Sequence, residues 1–242
     1  MKIYVRSLLC LLIYFTSTYA AAQNISAADY YDRRHGTLNS QGNFTGAPTP
    51  ERFRKKSDKY QPDQQYAIAQ EFENPKGKHH DIKEAIFWYR KSADQGNLPA
   101  QMSLARIYYD GIGVTKDLAV AADWYERAAN AGQVDAQFNL ALMLAQGEGR
   151  AQDYQAAAGL YQMAANQGYA KAQYNLGLLF VYGQGVNVDL PQAYMWLSLA
   201  ATSAPAEEQI TKSLLLLETR LNTDQVRTAK VMIAAWNAKK IN

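Results

Sequence analysis

The chain has 242 residues, 48% of them hydrophobic, and a formal charge of +3. This is globular composition, with enough apolar side chain for a large core. The charge is unevenly spread: from Asp63 to Pro205 there are 10 lysines and arginines against 14 aspartates and glutamates, so the middle lacks the basic face that nucleic-acid binding requires.

Residues 1–22, MKIYVRSLLCLLIYFTSTYAAA, have the order of a secretory signal peptide. Lys2 and Arg6 come first, an apolar run from Leu8 to Phe15 follows, and small residues end at Ala20, Ala21 and Ala22, with cleavage expected after Ala22 or Ala20. The run is too short for a permanent bilayer span, and no later segment reaches the required length. The expected product is exported, periplasmic or secreted, with no integral membrane insertion after cleavage. The only cysteine, Cys10, falls inside the signal, so a mature chain would have no disulfide. A lipoprotein reading of Leu8-Leu9-Cys10 is disfavoured because the cysteine precedes most of the apolar run.

Residues 23–62 are rich in Asn, Gln, Ser, Gly, Pro and charge, without an apolar period, and read as a flexible spacer. Asn24 and Asn43 begin glycosylation sequons, which matter only in a eukaryotic secretory pathway. The basic stretch ERFRKKSDK reads as solvated linker in preference to a contact for an anionic surface.

From residue 63 the chain repeats every 36 residues without a gap. The step links Ala100, Ala136 and Ala172; Leu104, Leu140 and Leu176; Gly111, Gly147 and Gly183; Gly113, Gly149 and Gly185; and Ala85, Ala121, Ala157 and Ala193. A fixed period of this size indicates stacked units, each too small to bury its apolar face alone. Within one unit, Ala136, Leu140, Met143 and Leu144 share a helical face, as do Ala157, Leu160, Tyr161 and Ala164. The expected fold is all-α, an α/α superhelical solenoid of four helix-turn-helix repeats (about 64–99, 100–135, 136–171 and 172–205 within 63–205). Small residues at the expected crossings, Ala69, Ala105, Ala141 and Gly177 against Ala85, Ala121, Ala157 and Ala193, permit close axial approach.

The recurring Gly-x-Gly is not a dinucleotide loop. Lys116, Gln152 and Val188 stand where a third glycine belongs, and a helix precedes the pair in place of a strand. The glycines are expected to supply backbone freedom in a helix-to-helix turn.

The stretches AQMSLARIYYDGIGVTKDLAVAADWYERAANAG and AQYNLGLLFVYGQGVNVDLPQAYMWLSLAA resemble Sel1-like repeats, relatives of the tetratricopeptide class. The resemblance covers about Gln64 to Ala204. It implies an adaptor that binds a protein or peptide, without catalysis of its own. Departures are Pro75 and Gly77 in the first turn, Leu160 where Trp88, Trp124 and Trp196 sit in the other units, and Ala204-Pro205 in place of a closing glycine.

Residues 206–242 read as two capping helices that cover the last apolar face, the first carrying Leu214 to Leu217 and the second carrying Val231, Ile233 and Trp236.

A search for chemistry finds no G-x-S-x-G, no H-E-x-x-H and no Walker A pattern. His79-His80-Asp81 stands where Thr115-Lys116-Asp117 stands in the next unit and reads as a solvated loop, not a metal site. No catalytic, cofactor or metal residue is assigned, and the chain is expected not to be an enzyme. The Sel1 resemblance also raises a cell-wall or β-lactam binder or enzyme, disfavoured by the missing cysteines and Ser-x-x-Lys, and a secreted host-interaction factor.

The expected binding surface is the face of the first helices opposite the core, which lines the concave groove in tetratricopeptide-like stacks. Its candidates are Tyr66, Met102, Phe138 and Tyr174 in one column, Arg106, Leu142 and Leu178 in the next, and Tyr109 and Tyr182 beside them. The first column could equally pack between neighbouring first helices.

Overall fold

The computed structural model describes residues 57–77 and 80–241. The residues read as a signal peptide, 1–22, both sequons, His79 and most of the stretch read as a spacer, 23–62, lie outside the described residues. Among those described, the chain is all-α, with no strand. The helices are α1 (Pro62–Glu73), α2 (Ile82–Ala93), α3 (Leu98–Asp110), α4 (Leu118–Asn130), α5 (Val134–Gln146), α6 (Tyr154–Asn166), α7 (Ala170–Tyr182), α8 (Leu190–Ser203), α9 (Glu208–Glu218) and α10 (Thr223–Ile241). They fall into two compact units, one through Thr115 and one from Lys116 onward.

In the first unit α2 packs on both α1 and α3. Ile68, Phe72, Trp88, Tyr89, Leu104 and Ile107 form its buried interior. Ser57 to Lys59, assigned to the spacer on sequence grounds, form a short 3₁₀ turn against α2, and the Tyr60 ring meets Trp88 edge-on at 5.7 Å. In the second unit α5 packs between α4 and α6, and α7 between α6 and α8. Ala136, Leu140, Met143, Leu144, Ala157, Tyr161 and Ala164 are all buried there, as the helical periods predict, while Leu160 is only half-buried. The repeating tryptophans Trp88, Trp124 and Trp196 are core residues. The crossing alanines are fully buried, and at Gly177 an added Cβ would lie 2.9 Å from the Leu197 side chain, so the smallest residue stands where these helices approach most closely.

Every second helix starts on an aspartate. Asp81 accepts from the amides of Lys83 and Glu84, Asp117 from Val120, Asp153 from Ala156 and Asp189 from Gln192, at 2.9–3.2 Å. Each carboxylate satisfies amides that have no partner within the helix and sits at the positive end of the helix dipole. Asp81 is therefore a helix cap.

The turn between the two helices explains the glycine pair. Gly147 (φ 73) ends α5 in the left-handed conformation, and Gly149 (φ 73) repeats it two residues later. A Cβ on Gly149 would overlap the Leu118 carbonyl and the Ala119 amide at the start of α4. The first glycine thus turns the chain, and the second lets that turn lie on the preceding second helix.

A buried glutamine also recurs every 36 residues: Gln65, Gln101, Gln137 and Gln173. Each side-chain amide donates to a carbonyl eight residues earlier, on Ser57, Ala93, Ala129 and Ala165 respectively, at 3.0–3.3 Å. In the last three, the acceptor is a terminal carbonyl of the preceding second helix, which also takes the amide of the closing glycine, Gly96, Gly132 or Gly168. The 3₁₀ turn at Ser57 supplies the same carbonyl for the first repeat.

Helices α9 and α10 both pack on α8. Leu217 of α9 closes a cluster with Val181, Ala193 and Leu197, flanked by Tyr174, Leu214 and Leu221, and Trp236 of α10 meets Trp196 edge-on at 6.4 Å. Among the described residues, no helix is long and apolar enough to cross a membrane.

Candidate functional site

Each unit carries its own part of the candidate surface. In the first unit it is built by α1 and α3. Tyr66 is half-buried, with its ring centroid 5.6 Å from Tyr89 and its hydroxyl accepting from Gln70 at 3.1 Å. Met102 and Tyr109 are half-buried on α3. Arg106 is exposed and reaches back to α1, where its guanidinium pairs with Glu73. The Glu73 carboxylate also accepts the Tyr89 hydroxyl. Burial raises the Tyr89 phenol well above the ordinary tyrosine range, and the hydrogen bond to Glu73 adds to the rise because a phenolate there would face a carboxylate.

In the second unit the surface is carried by α5 and α7. Phe138 packs its ring 5.9 Å from Tyr161 and 5.2 Å from Tyr169. Leu142 and Leu178 are half-buried, and Tyr182 is 64% exposed at the end of α7. The Tyr174 hydroxyl stands 3.3 Å from Ser213 Oγ and accepts from Gln209 at 3.4 Å, so α9 lies over this member of the column. Phe138 and Tyr174 are thus engaged with neighbouring elements, whereas Tyr182 faces solvent.

Sequence reasoning did not single out Glu73 as the partner of Arg106, nor Tyr89 as the second partner of Glu73. A signal existed for Tyr89: it follows Trp88 as Tyr125 follows Trp124, and Tyr161 keeps the position where Leu160 has replaced the tryptophan. His80 places Nδ1 3.1 Å from the Phe72 carbonyl and, with Asp81 capping α2, belongs to the turn. The arrangement supplies hydrogen-bond donors, one held ion pair and apolar side chains, which suit recognition of another chain.

Comparison with known proteins accounts for this architecture. The Sel1 repeat model matches residues 64–97, 98–133, 134–169 and 170–204, so each matched unit after the first opens with the first helix, two residues before the unit read from spacing alone. Among solved structures, the chain is similar to c5321, a protective antigen present in uropathogenic Escherichia coli strains and displaying an SLR fold. The identity is 34% and the TM-score 0.63, over 79% of this chain and 42% of that one. It is also similar to a Sel1 repeat protein from Oxalobacter formigenes, at 28% identity and a TM-score of 0.57, over 64% of this chain and 62% of that one. The chain therefore spans less than two thirds of the length of either. No curated protein matches it. With four repeat matches over more than half its length, the chain belongs to the Sel1 repeat family.

Proposed function

We propose that this chain is an exported binding scaffold without catalysis of its own, which holds a segment of a partner protein on the face of its first helices. The observation that carries the reading is Tyr182, large, aromatic and 64% exposed on that face, beside the half-exposed Leu178 one turn earlier on the same helix. Aromatic side chains left open at the edge of an apolar strip favour a partner over water. Export rests on the order of charge, apolar run and small residues in residues 1–22.

The test is a photo-crosslinking residue at Tyr182 in living cells, with the same residue at Met163, exposed on second helix α6, as control. A single abundant adduct from position 182 that is absent from position 163 supports the scaffold. Equal capture from both positions, or none from 182, removes the first-helix face from consideration. N-terminal sequencing of the mature protein tests export, with Gln23 or Ala21 expected as the first residue.

A second reading follows from the c5321 relative, described as a protective antigen: the chain acts outside the cell, against a host protein. Recovery from culture supernatant supports that reading, and strict retention within the envelope opposes it.

A further inference from the structure

The first unit contains a cavity of about 670 Å³, bounded by the end of α1, the start of α2 and the last turns of α3. Gln70, Glu73, Asn74 and Arg106 give it polar lining, and Ile82 and Ile112 give it aliphatic lining. Its hydrogen-bonding groups are unevenly engaged. Glu73 has both carboxylate oxygens occupied, Oε1 by Arg106 and Oε2 by the buried Tyr89. Asn74 Oδ1 accepts the Lys76 amide; a backbone N–H can only donate, so that contact fixes the side-chain amide and leaves Nδ2 without an acceptor among the described residues. Gln70 uses one hydrogen on Tyr66. Arg106 bonds Glu73 through Nη2, and the rest of its fork has no acceptor among the described residues.

The cavity therefore has a surplus of donors, one of them a cation held in place by Glu73. A cationic ligand would lie against the Arg106 guanidinium and compete with it for Glu73. A neutral carbonyl can accept two of these bonds but carries no charge to match the guanidinium. A carboxylate matches the planar fork, accepts the Asn74 amide as well, and carries the charge that makes such bonds strong.

We propose that this cavity receives a carboxylate of the bound partner, clasped by Arg106 and Asn74, with the neighbouring aliphatic side chain of that partner against Ile82 and Ile112. This rests on the reading that the first-helix face takes a partner chain. The carboxylate can come from a chain terminus or from an acidic side chain.

The test uses the full chain and three probes: N-acetyl-Leu-Leu with a free terminal carboxylate, the same dipeptide amidated, and N-acetyl-Leu-Glu as its α-amide. The readout is the Arg106 side-chain Nε–H resonance, assigned by its loss in Arg106→Gln. The expected result is a saturable shift with at least one carboxylate probe, and binding of the amidated dipeptide about tenfold weaker. The stronger of the two carboxylate probes identifies the source. Ile112→Glu, which places a carboxylate on the cavity wall while leaving the Arg106–Glu73 pair in place, is expected to abolish probe binding with helicity retained. Affinity for the amidated dipeptide equal to that for the stronger carboxylate probe, or no shift from either carboxylate probe, overturns the proposal. Partner capture at position 182 with no probe shift would sink the cavity alone; a probe shift with no capture would sink the scaffold reading alone.

Discussion

Gln167 donates its side-chain amide to Gln137 Oε1 at 2.9 Å, and Gln95 does the same for Gln65 at 2.8 Å. In both cases the donor lies 30 residues after a buried glutamine whose own amide ties it to the preceding element. Thirty residues after Gln173 stands Ser203, too short to repeat the contact, and Gln173 Oε1 is buried without a partner. Ser203→Gln should supply the missing donor and stabilise the second unit by about 0.5–1.5 kcal/mol, the net worth of one hydrogen bond. Gln167→Ala should cost about 1–3 kcal/mol, because it orphans a buried oxygen where one is now satisfied. Urea midpoints of the two variants provide the check, and a Ser203→Gln midpoint at or below the parent value refutes the account.

The glycine turns predict a contrast between two substitutions with similar backbone angles. Gly132 has φ 89 and Gly149 has φ 73, so alanine is strained at both. A Cβ on Gly132 meets nothing within 4 Å, whereas on Gly149 it meets the backbone of α4. Gly132→Ala should therefore cost about 1 kcal/mol, the conformational penalty alone. Gly149→Ala should cost more, because a backbone neighbour cannot rotate away. Equal losses in thermal melting would show that the turn does not rest on the preceding helix.

These two cases show what was legible in the sequence. The 36-residue step, the crossing alanines and the Gly-x-Gly turn were readable because apolar periodicity and glycine spacing are strong signals. The glutamines repeat with the same step but went unread, since a search for helical faces scores polar residues as outward. Their inward placement follows from the carbonyls they cap, which only the packed structure reveals. At the candidate site, the exposure of Arg106 and Tyr182 could be anticipated from the helical wheel. The hold of Glu73 on Arg106, and the cover that α9 puts over Tyr174, depend on contacts 33 and 39 residues apart in sequence that no local pattern encodes.

Alkaline pH should weaken the second unit through Tyr161. Burial pushes this phenol up to about 12 from an ordinary 10.0, although the Asn175 hydrogen bond to its oxygen opposes the rise. The folded state therefore keeps its proton when the unfolded chain has released it. The stabilising contribution is complete below pH 10 and falls by about 1.4 kcal/mol per unit until about pH 12. Tyr161→Phe has no proton to lose, so its stability should decline less steeply over that window. Parallel slopes for parent and variant in urea titrations between pH 10 and 11.5 would show that another group controls the alkaline limit.

Helix α9 explains why the repetition stops. Its residues continue the first-helix positions by the same step: Ile210 follows Tyr174, Ser213 follows Gly177 and Leu217 follows Val181. The two positions that bury alanine and leucine in the second, third and fourth repeats, Ala172 and Leu176 in the fourth, become Glu208 and Lys212, which pair with each other at 2.6 Å in solvent. No second helix could be accepted against that charge, and α10 packs on α8 instead. Leu215 and Leu216 on either side of the pair stay 57% and 67% exposed, too divided by charge to form a continuous apolar surface. Glu208→Ala combined with Lys212→Leu would join them into one. The double variant should self-associate with rising concentration in sedimentation velocity, while the parent sediments unchanged over the same range. If the variant sediments as the parent does, the charged pair is not what ends the stack.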